Sequence, residues 1–262
     1  MKVLAIDAGN SRIKWGMADM NAPGERWLRR AWLDTAGAAS ISMALQDLPA
    51  PDCIAISNVA GEGVRTALQQ ALEHYGIAPL WVRGCDEQCG VKSSYANPAQ
   101  LGADRWAGLI AAWHLYGNAG NTGSADKAGR ACVVVNAGTT MTVDALSSEG
   151  VFLGGVILPG LDLMRTSLEH GTAQLKRQPG VFAFFPDNTA DAIMSGALNA
   201  AAGAIDRMRD YVAQSGEGEA LIVLSGGAAG LIQPRLNLKV ELVDNLVLEG
   251  VLEIAREHGK GK

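Results

Sequence analysis

Two stretches of the chain, about half its length apart, carry the same pattern of hydrophobic and polar positions. Val3-Leu4-Ala5-Ile6 runs into Asp7-Ala8-Gly9-Asn10-Ser11, and Ala131-Cys132-Val133-Val134-Val135 runs into Asn136-Ala137-Gly138-Thr139-Thr140. A short apolar run closed by small and polar residues predicts a buried strand meeting its loop. Beyond the first turn, Ile13, Trp15 and Met17 alternate with Arg12, Lys14 and Ala18. Beyond the second, Met141, Val143 and Ala145 alternate with Thr142, Asp144 and Leu146. Period two predicts a second strand, so each turn joins a hairpin. Rossmann and Walker loops open a helix directly after their glycines, and neither fits here. Two facing hairpins of this kind could grip one polyphosphate from both sides.

Between and after these hairpins strands alternate with helices, which predicts a layered α/β architecture. Strands are expected at 53–56 and 80–82, and a helix at 63–75 with apolar residues at 64, 68, 71 and 72. Residues 98–116 read as a helix whose apolar positions are Leu101, Trp106, Leu109, Ile110 and Trp113. The stretch 117–129 is too polar and glycine-rich for a core and reads as the boundary between halves. The expected division is 1–117, a linker at 118–130, and 131–262. In the second half, residues 152–160 extend the sheet and turn into a helix from 161 to about 170. Asn188-Thr189-Ala190-Asp191 opens a long helix to about Ser215, alanine-rich enough for close packing. A strand at 220–224 ends in Ser225-Gly226-Gly227, where missing side chains leave room for a flat base and its ribose.

Composition narrows the class. With 262 residues and 48% hydrophobic content the chain can bury a substantial core. Net charge is −5 and basic residues do not run beyond Arg29-Arg30, so nucleic acid is not expected as a principal partner. Nowhere do about 18 uninterrupted apolar residues occur, and no secretory leader is visible, so a cytoplasmic protein without membrane contact is expected. Cys53, Cys85, Cys89 and Cys132 are too few and scattered for a disulfide framework, and no second pair completes a zinc site with Cys85 and Cys89. The four histidines are isolated and read as surface or helix residues.

Taken together, Asp7-Ala8-Gly9-Asn10-Ser11, Gly102-Ala103-Asp104-Arg105, Asn136-Ala137-Gly138-Thr139-Thr140-Met141-Thr142 and Ser225-Gly226-Gly227 resemble, in order and spacing, the type III pantothenate kinases of the acetate and sugar kinase, Hsp70 and actin superfamily. The resemblance spans nearly the whole chain. It implies duplicated ribonuclease H-like, actin-like ATPase domains with mixed sheets flanked by helices. It also implies ATP-dependent phosphorylation of pantothenate to 4′-phosphopantothenate, the first committed step towards coenzyme A, with Mg²⁺, K⁺ or NH₄⁺, and a homodimer sharing its active site.

The same resemblance assigns roles. Asp7, by the phosphates, helps hold Mg²⁺, and Ala8, Gly9, Asn10, Ser11, Arg12, Ile13, Lys14, Gly138, Thr139, Thr140, Gly226 and Gly227 bind ATP. Asp104 is the base that accepts the hydroxyl proton, and Tyr95, Gly102, Ala103, Asp104 and Arg105 bind pantothenate, with Thr189 contributed by the partner subunit. Read without the family, each residue has a plainer role. Asp7 could stabilise its turn, Lys14 could be a solvated strand residue, and Thr189 could be a loop or cap residue. Asp104-Arg105 could be a solvated surface pair; adjacent helix residues point about 100° apart and converge only at a helix start or with bent side chains.

One residue departs from the family pattern. Asn136 stands where an aspartate usually ligates the monovalent cation, so the ligand keeps an oxygen but brings no charge. Asp144, in phase with Thr140 and Thr142, is a candidate substitute. A sugar kinase or Hsp70-like ATPase would share both turns, but the first needs a different substrate tetrad and the second a large extra domain. A non-enzymatic accessory protein on the same fold is the alternative of a different class; it would have little reason to keep Asp104.

Overall fold

The computed structural model describes residues 1–23, 25–118, 129–176 and 178–260. It falls into two compact units, Met1–His114 with Asn245–Lys262, and Leu115–Asp244. In chain order the first unit contains β1 (Lys2–Ala8), β2 (Arg12–Asp19), β3 (Trp27–Asp34), α1 (Ile41–Leu45), β4 (Cys53–Asn58), α2 (Glu62–Leu72), β5 (Leu80–Trp81), the short pair β6 (Glu87–Gln88) and β7 (Val91–Ser93), and α3 (Ala103–Ala112). The second contains β8 (Cys132–Ala137), β9 (Thr140–Leu146), β10 (Val151–Pro159), α4 (Leu161–Gly171), α5 (Thr189–Val212), β11 (Leu221–Ser225), α6 (Ala229–Ile232) and β12 (Val240–Leu242). Helix α7 (Leu246–Lys260) then completes the first unit.

The sheets show the duplication that the two turns announced. In the first unit the strands lie in the order β3-β2-β1-β4-β5, with β1, β2 and β3 antiparallel and β4 and β5 parallel to β1. In the second the order β10-β9-β8-β11-β12 repeats it, again with three antiparallel strands and two parallel ones. Sheets mixed in this way and flanked by helices are the duplicated ribonuclease H-like arrangement.

Burial explains the strand composition. β1 is central and packed on both faces, against α1 and α2 through Leu4 and Ile6 and against α7 on the other side. A strand covered on both faces reads as one apolar run instead of an alternation. In the second unit Val133, Val135, Met141 and Val143 pack with Ala197, Ala201 and Ile205 of α5, where alanines keep helix and sheet close.

Three features differ from the sequence-based expectations. The helix expected over 98–116 is divided: a 3₁₀ turn covers Pro98–Gln100, Leu101 and Gly102 are extended, and α3 begins at Ala103. The second compact unit ends at Asp244, whereas the expected second half ran to 262; of the expected linker 118–130, residues 119–128 lie outside the described residues. Helix α7 was not anticipated, although Leu246, Gly250, Val251 and Ile254 recur at helical spacing. It packs along α3 so closely that a Cβ on Gly250 would come within 1.8 Å of the Ala107 carbonyl oxygen. Arg26, just ahead of β3, pairs with Glu249 and Glu253 of α7, the latter at 3.0 Å.

Candidate functional site

In the first unit, β1 delivers Asp7 one residue before its end, and the register sets Lys14 of β2 on one side and Ser57 of β4 on the other. The turn between β1 and β2 is closed by Gly9 N–H donating to the Arg12 carbonyl at 3.0 Å and braced by the Thr35 hydroxyl donating to the Gly9 carbonyl at 2.7 Å. Asn10, Ser11 and Arg12 are exposed, and the Arg12 guanidinium stacks on Trp32 at 4.1 Å. Ala8 and Ile13 have side chains fully buried in the core, so only their main chain faces outward chemistry.

Asp7 is buried, and its Oδ1 has no hydrogen-bond partner. Burial, and next the charge of Asp104, push its carboxyl up to about 7, against an opposing pull from Lys14. Asp104 enters this electrostatic neighbourhood from the first turn of α3. Its own carboxyl is held above the usual carboxylate range by burial, offset by the Arg105 N–H, which donates to Asp104 Oδ1 at 2.8 Å, and by the Arg105 charge. The break at Gly102 makes this possible, because it places Asp104 and Arg105 at a helix start, where adjacent side chains can converge. A Cβ on Gly102 would lie 2.7 Å from Asp104 Oδ1.

Arg105 is only 8% exposed, and its Nη1 donates to the Tyr95 hydroxyl at 3.4 Å. The plainer reading of Asp104-Arg105 as a solvated surface pair is therefore overturned: both lie in the protein, beside Asp7 and Tyr95. Ala103 is buried behind them.

The second unit repeats the frame with different chemistry. Asn136 occupies the place in β8 that Asp7 occupies in β1, opposite Thr142 of β9 and Ser225 of β11. Gly138 N–H donates to the Thr140 carbonyl at 3.1 Å, and Gly138, Thr139 and Thr140 are exposed. Gly226 has φ +102°, and a Cβ there would lie 2.5 Å from the Ala137 carbonyl oxygen, so β11 can end against the β8 turn only with glycine. The Cβ position of Gly227 meets nothing within 4 Å. Asp144 is 1% exposed and sits between Val134 and Gly155, in phase with Thr142 as expected.

Thr189 is exposed at the first position of α5. The helix cap is Asn188, whose side chain accepts from Asp191 N–H at 3.0 Å, which corrects the reading of Thr189 as cap. Ahead of it Val181, Phe184 and Phe185 are 68, 85 and 95% exposed. Sequence reasoning did not single out Ser57 or Ser225 as site residues. Their signal was positional: each stands near or at the end of the strand parallel to the turn strand of its own half.

The family model for type III pantothenate kinases matches residues 3–211. A protein of Nitrosospira multiformis named type III pantothenate kinase is 46% identical over 255 residues, covering 97% of this chain and 91% of that one. Among solved structures, a Campylobacter jejuni protein assigned to the Baf family of transcriptional activators superposes with a TM-score of 0.59 at 20% identity, over 98% of this chain and 99% of that one. A glucokinase from an Antarctic psychrotroph gives 0.53 at 12% identity, over 98% and 99%. These two likenesses carry the fold alone.

Proposed function

The chain belongs to the type III pantothenate kinase family, and from that premise we propose that it transfers the γ-phosphoryl group of ATP to the primary hydroxyl of pantothenate, giving 4′-phosphopantothenate and ADP, the first committed step towards coenzyme A. The observation that carries the reading is the pair Asp104-Arg105, drawn into the protein at a helix start beside Asp7. Phosphoryl transfer asks a protein for positioning and charge neutralisation more than covalent chemistry. A carboxyl held above its usual range is a stronger base once ionised, which suits Asp104 to accept the hydroxyl proton. Arg105, steadied by Tyr95, offers a planar fork to the anionic, carbonyl-bearing substrate.

In the first unit the Asp7–Lys14 hairpin is suited to phosphate; in the second, taken by itself, Gly138, Thr139 and Thr140 offer phosphate-binding groups and Gly226 and Gly227 leave room for a base. A kinase using ATP requires a divalent metal such as Mg²⁺, which neutralises phosphate charge when bound. A buried carboxylate oxygen without a partner, as at Asp7, fits the oxygen-rich surroundings of that ion. We place K⁺ or NH₄⁺ at Asn136, whose neighbours in register are the hydroxyl-bearing Thr142 and Ser225. We also propose a homodimer in which Thr189 enters the partner's site; the exposed Val181, Phe184 and Phe185 beside it support a covered face. Among the described residues no helix is long and apolar enough to cross a membrane.

The test is a coupled assay of ADP release with ATP and pantothenate, run on the wild type and Asp104→Asn. The variant should lose about 10² to 10⁴ in kcat while binding pantothenate within about tenfold of wild type. Absence of turnover in the wild type would favour the non-enzymatic alternative, and retention of more than about a tenth of kcat would remove Asp104 as the base.

A further inference from the structure

Ser57 is fully buried, directly opposite Asp7 in the parallel register of β1 and β4. Neither its hydroxyl nor Asp7 Oδ1 has a hydrogen-bond partner. The hydroxyl is near enough for a weak hydrogen-bonding interaction that offsets part of the rise in the Asp7 pKa, yet it falls short of a well-formed hydrogen bond, which leaves both oxygens able to take a better partner. A buried hydroxyl left unpaired destabilises a fold, and almost all buried polar groups are paired. Alanine would fill this position at lower cost, so packing does not account for the serine.

The second unit adds an independent observation. There Ser225 stands opposite Asn136 in the same parallel register, so each half puts a serine beside the polar residue one position before the end of its turn strand. On the first unit's sheet the row continues through Lys14, which faces Asp7 from β2. Two orphaned oxygens at one point, with an ammonium group alongside, describe a place for a polar ligand, not a failure of packing.

We propose that Asp7 Oδ1 and the Ser57 hydroxyl form one seat for an O–H donor brought by the ligand, a water of the hydrated divalent cation that accompanies ATP, which makes Ser57 a binding residue of the nucleotide site. The assignment rests on the kinase reading above. Mg²⁺ sheds water reluctantly and usually keeps several, each a hydrogen-bond donor. An ionised carboxylate only accepts, whereas a serine hydroxyl accepts and donates, so the pair can take one such water and still direct a proton at a phosphate or carboxylate oxygen. The primary hydroxyl of pantothenate is the other O–H donor available, and it is distinguished by experiment.

The test uses full-length Ser57→Ala beside wild type, with Mn²⁺ and ATP as the calorimetric probe and pantothenate alone as a second titrant. Without ligand the variant should unfold roughly 2–6 °C higher, because an unpaired buried hydroxyl has been removed. Its affinity for ATP with Mn²⁺ should fall about tenfold, the loss expected for one hydrogen bond in a charged site, while pantothenate binding is unchanged. A lower unfolding temperature, or failure to fold, would show that the hydroxyl supports the fold and overturn the proposal. So would unchanged ATP affinity, or a loss confined to pantothenate. If wild type itself fails to bind ATP with Mn²⁺, the kinase reading falls together with this one; if wild type binds and Ser57→Ala binds equally, only this one falls.

Discussion

Asp7→Asn should make the ligand-free protein more stable, and increasingly so as pH rises. Burial and the Asp104 charge move the Asp7 carboxyl from 3.8 to about 7, so the folded protein favours its protonated form. Below pH 3.8 both folded and unfolded chains carry the proton and the group has no effect. Between 3.8 and about 7 the unfolded chain has released a proton that the folded chain retains, and stability falls as pH rises. Above about 7 the loss is complete, and at about 1.36 kcal/mol per pH unit it amounts to about 4 kcal/mol. An amide does not ionise, so the variant escapes this dependence. Unfolding of both proteins without ligand, followed thermally at pH 5 and pH 8, reads the effect. From pH 5 to 8 the advantage of the variant should grow by about 2–3 kcal/mol, or roughly 5–10 °C in Tm. Comparing the two pH values cancels whatever the buried amide itself costs. A difference that stays constant, or shrinks towards pH 8, would refute the claim that Asp7 is held in a setting hostile to its charge. The same variant should bind ATP with a divalent ion more weakly, so the carboxylate's cost to the fold and its use in binding are read on one residue.

Three further outcomes follow from the site. Asn136→Asp should lower the K⁺ concentration for half-maximal rate, since a full charge replaces a dipole at the proposed cation ligand; an unchanged midpoint in a K⁺ titration would show that position 136 does not hold the ion. Mixing inactive Asp104→Asn with inactive Thr189→Leu subunits should restore part of the activity if the site is shared, and a fully active monomer at assay dilution would exclude sharing. Gly226→Ala should shift the urea midpoint downward by the equivalent of about 1–3 kcal/mol, because φ is +102° and the new Cβ would lie 2.5 Å from the Ala137 carbonyl oxygen; an unaltered midpoint would mean that β11 can retreat without loss.

The duplication, the mixed strand and helix plan, and the residues of both turns were legible in the chain, because each rests on local periodicity. An apolar run followed by Asp7-Ala8-Gly9 or Asn136-Ala137-Gly138 carries strand, turn and chemistry within a dozen positions. What the linear pattern left undecided was burial and register, which depend on partners far away in the chain. Asp104-Arg105 has the same local sequence whether solvated or enclosed; the extended Gly102 sets it at a helix start, and Tyr95 and Asp7, distant in the chain, are its neighbours there. Helix α7 was periodic enough to be seen, yet its membership of the first unit is a matter of long-range packing against α3 and β1. Ser57 is an ordinary strand-end residue until the parallel pairing of β1 and β4 sets it beside Asp7. Sequence fixes which groups are available, because side-chain chemistry is local; only tertiary structure decides which of them lose water together, and in this site that loss raises the carboxyl pKa of Asp7 and Asp104.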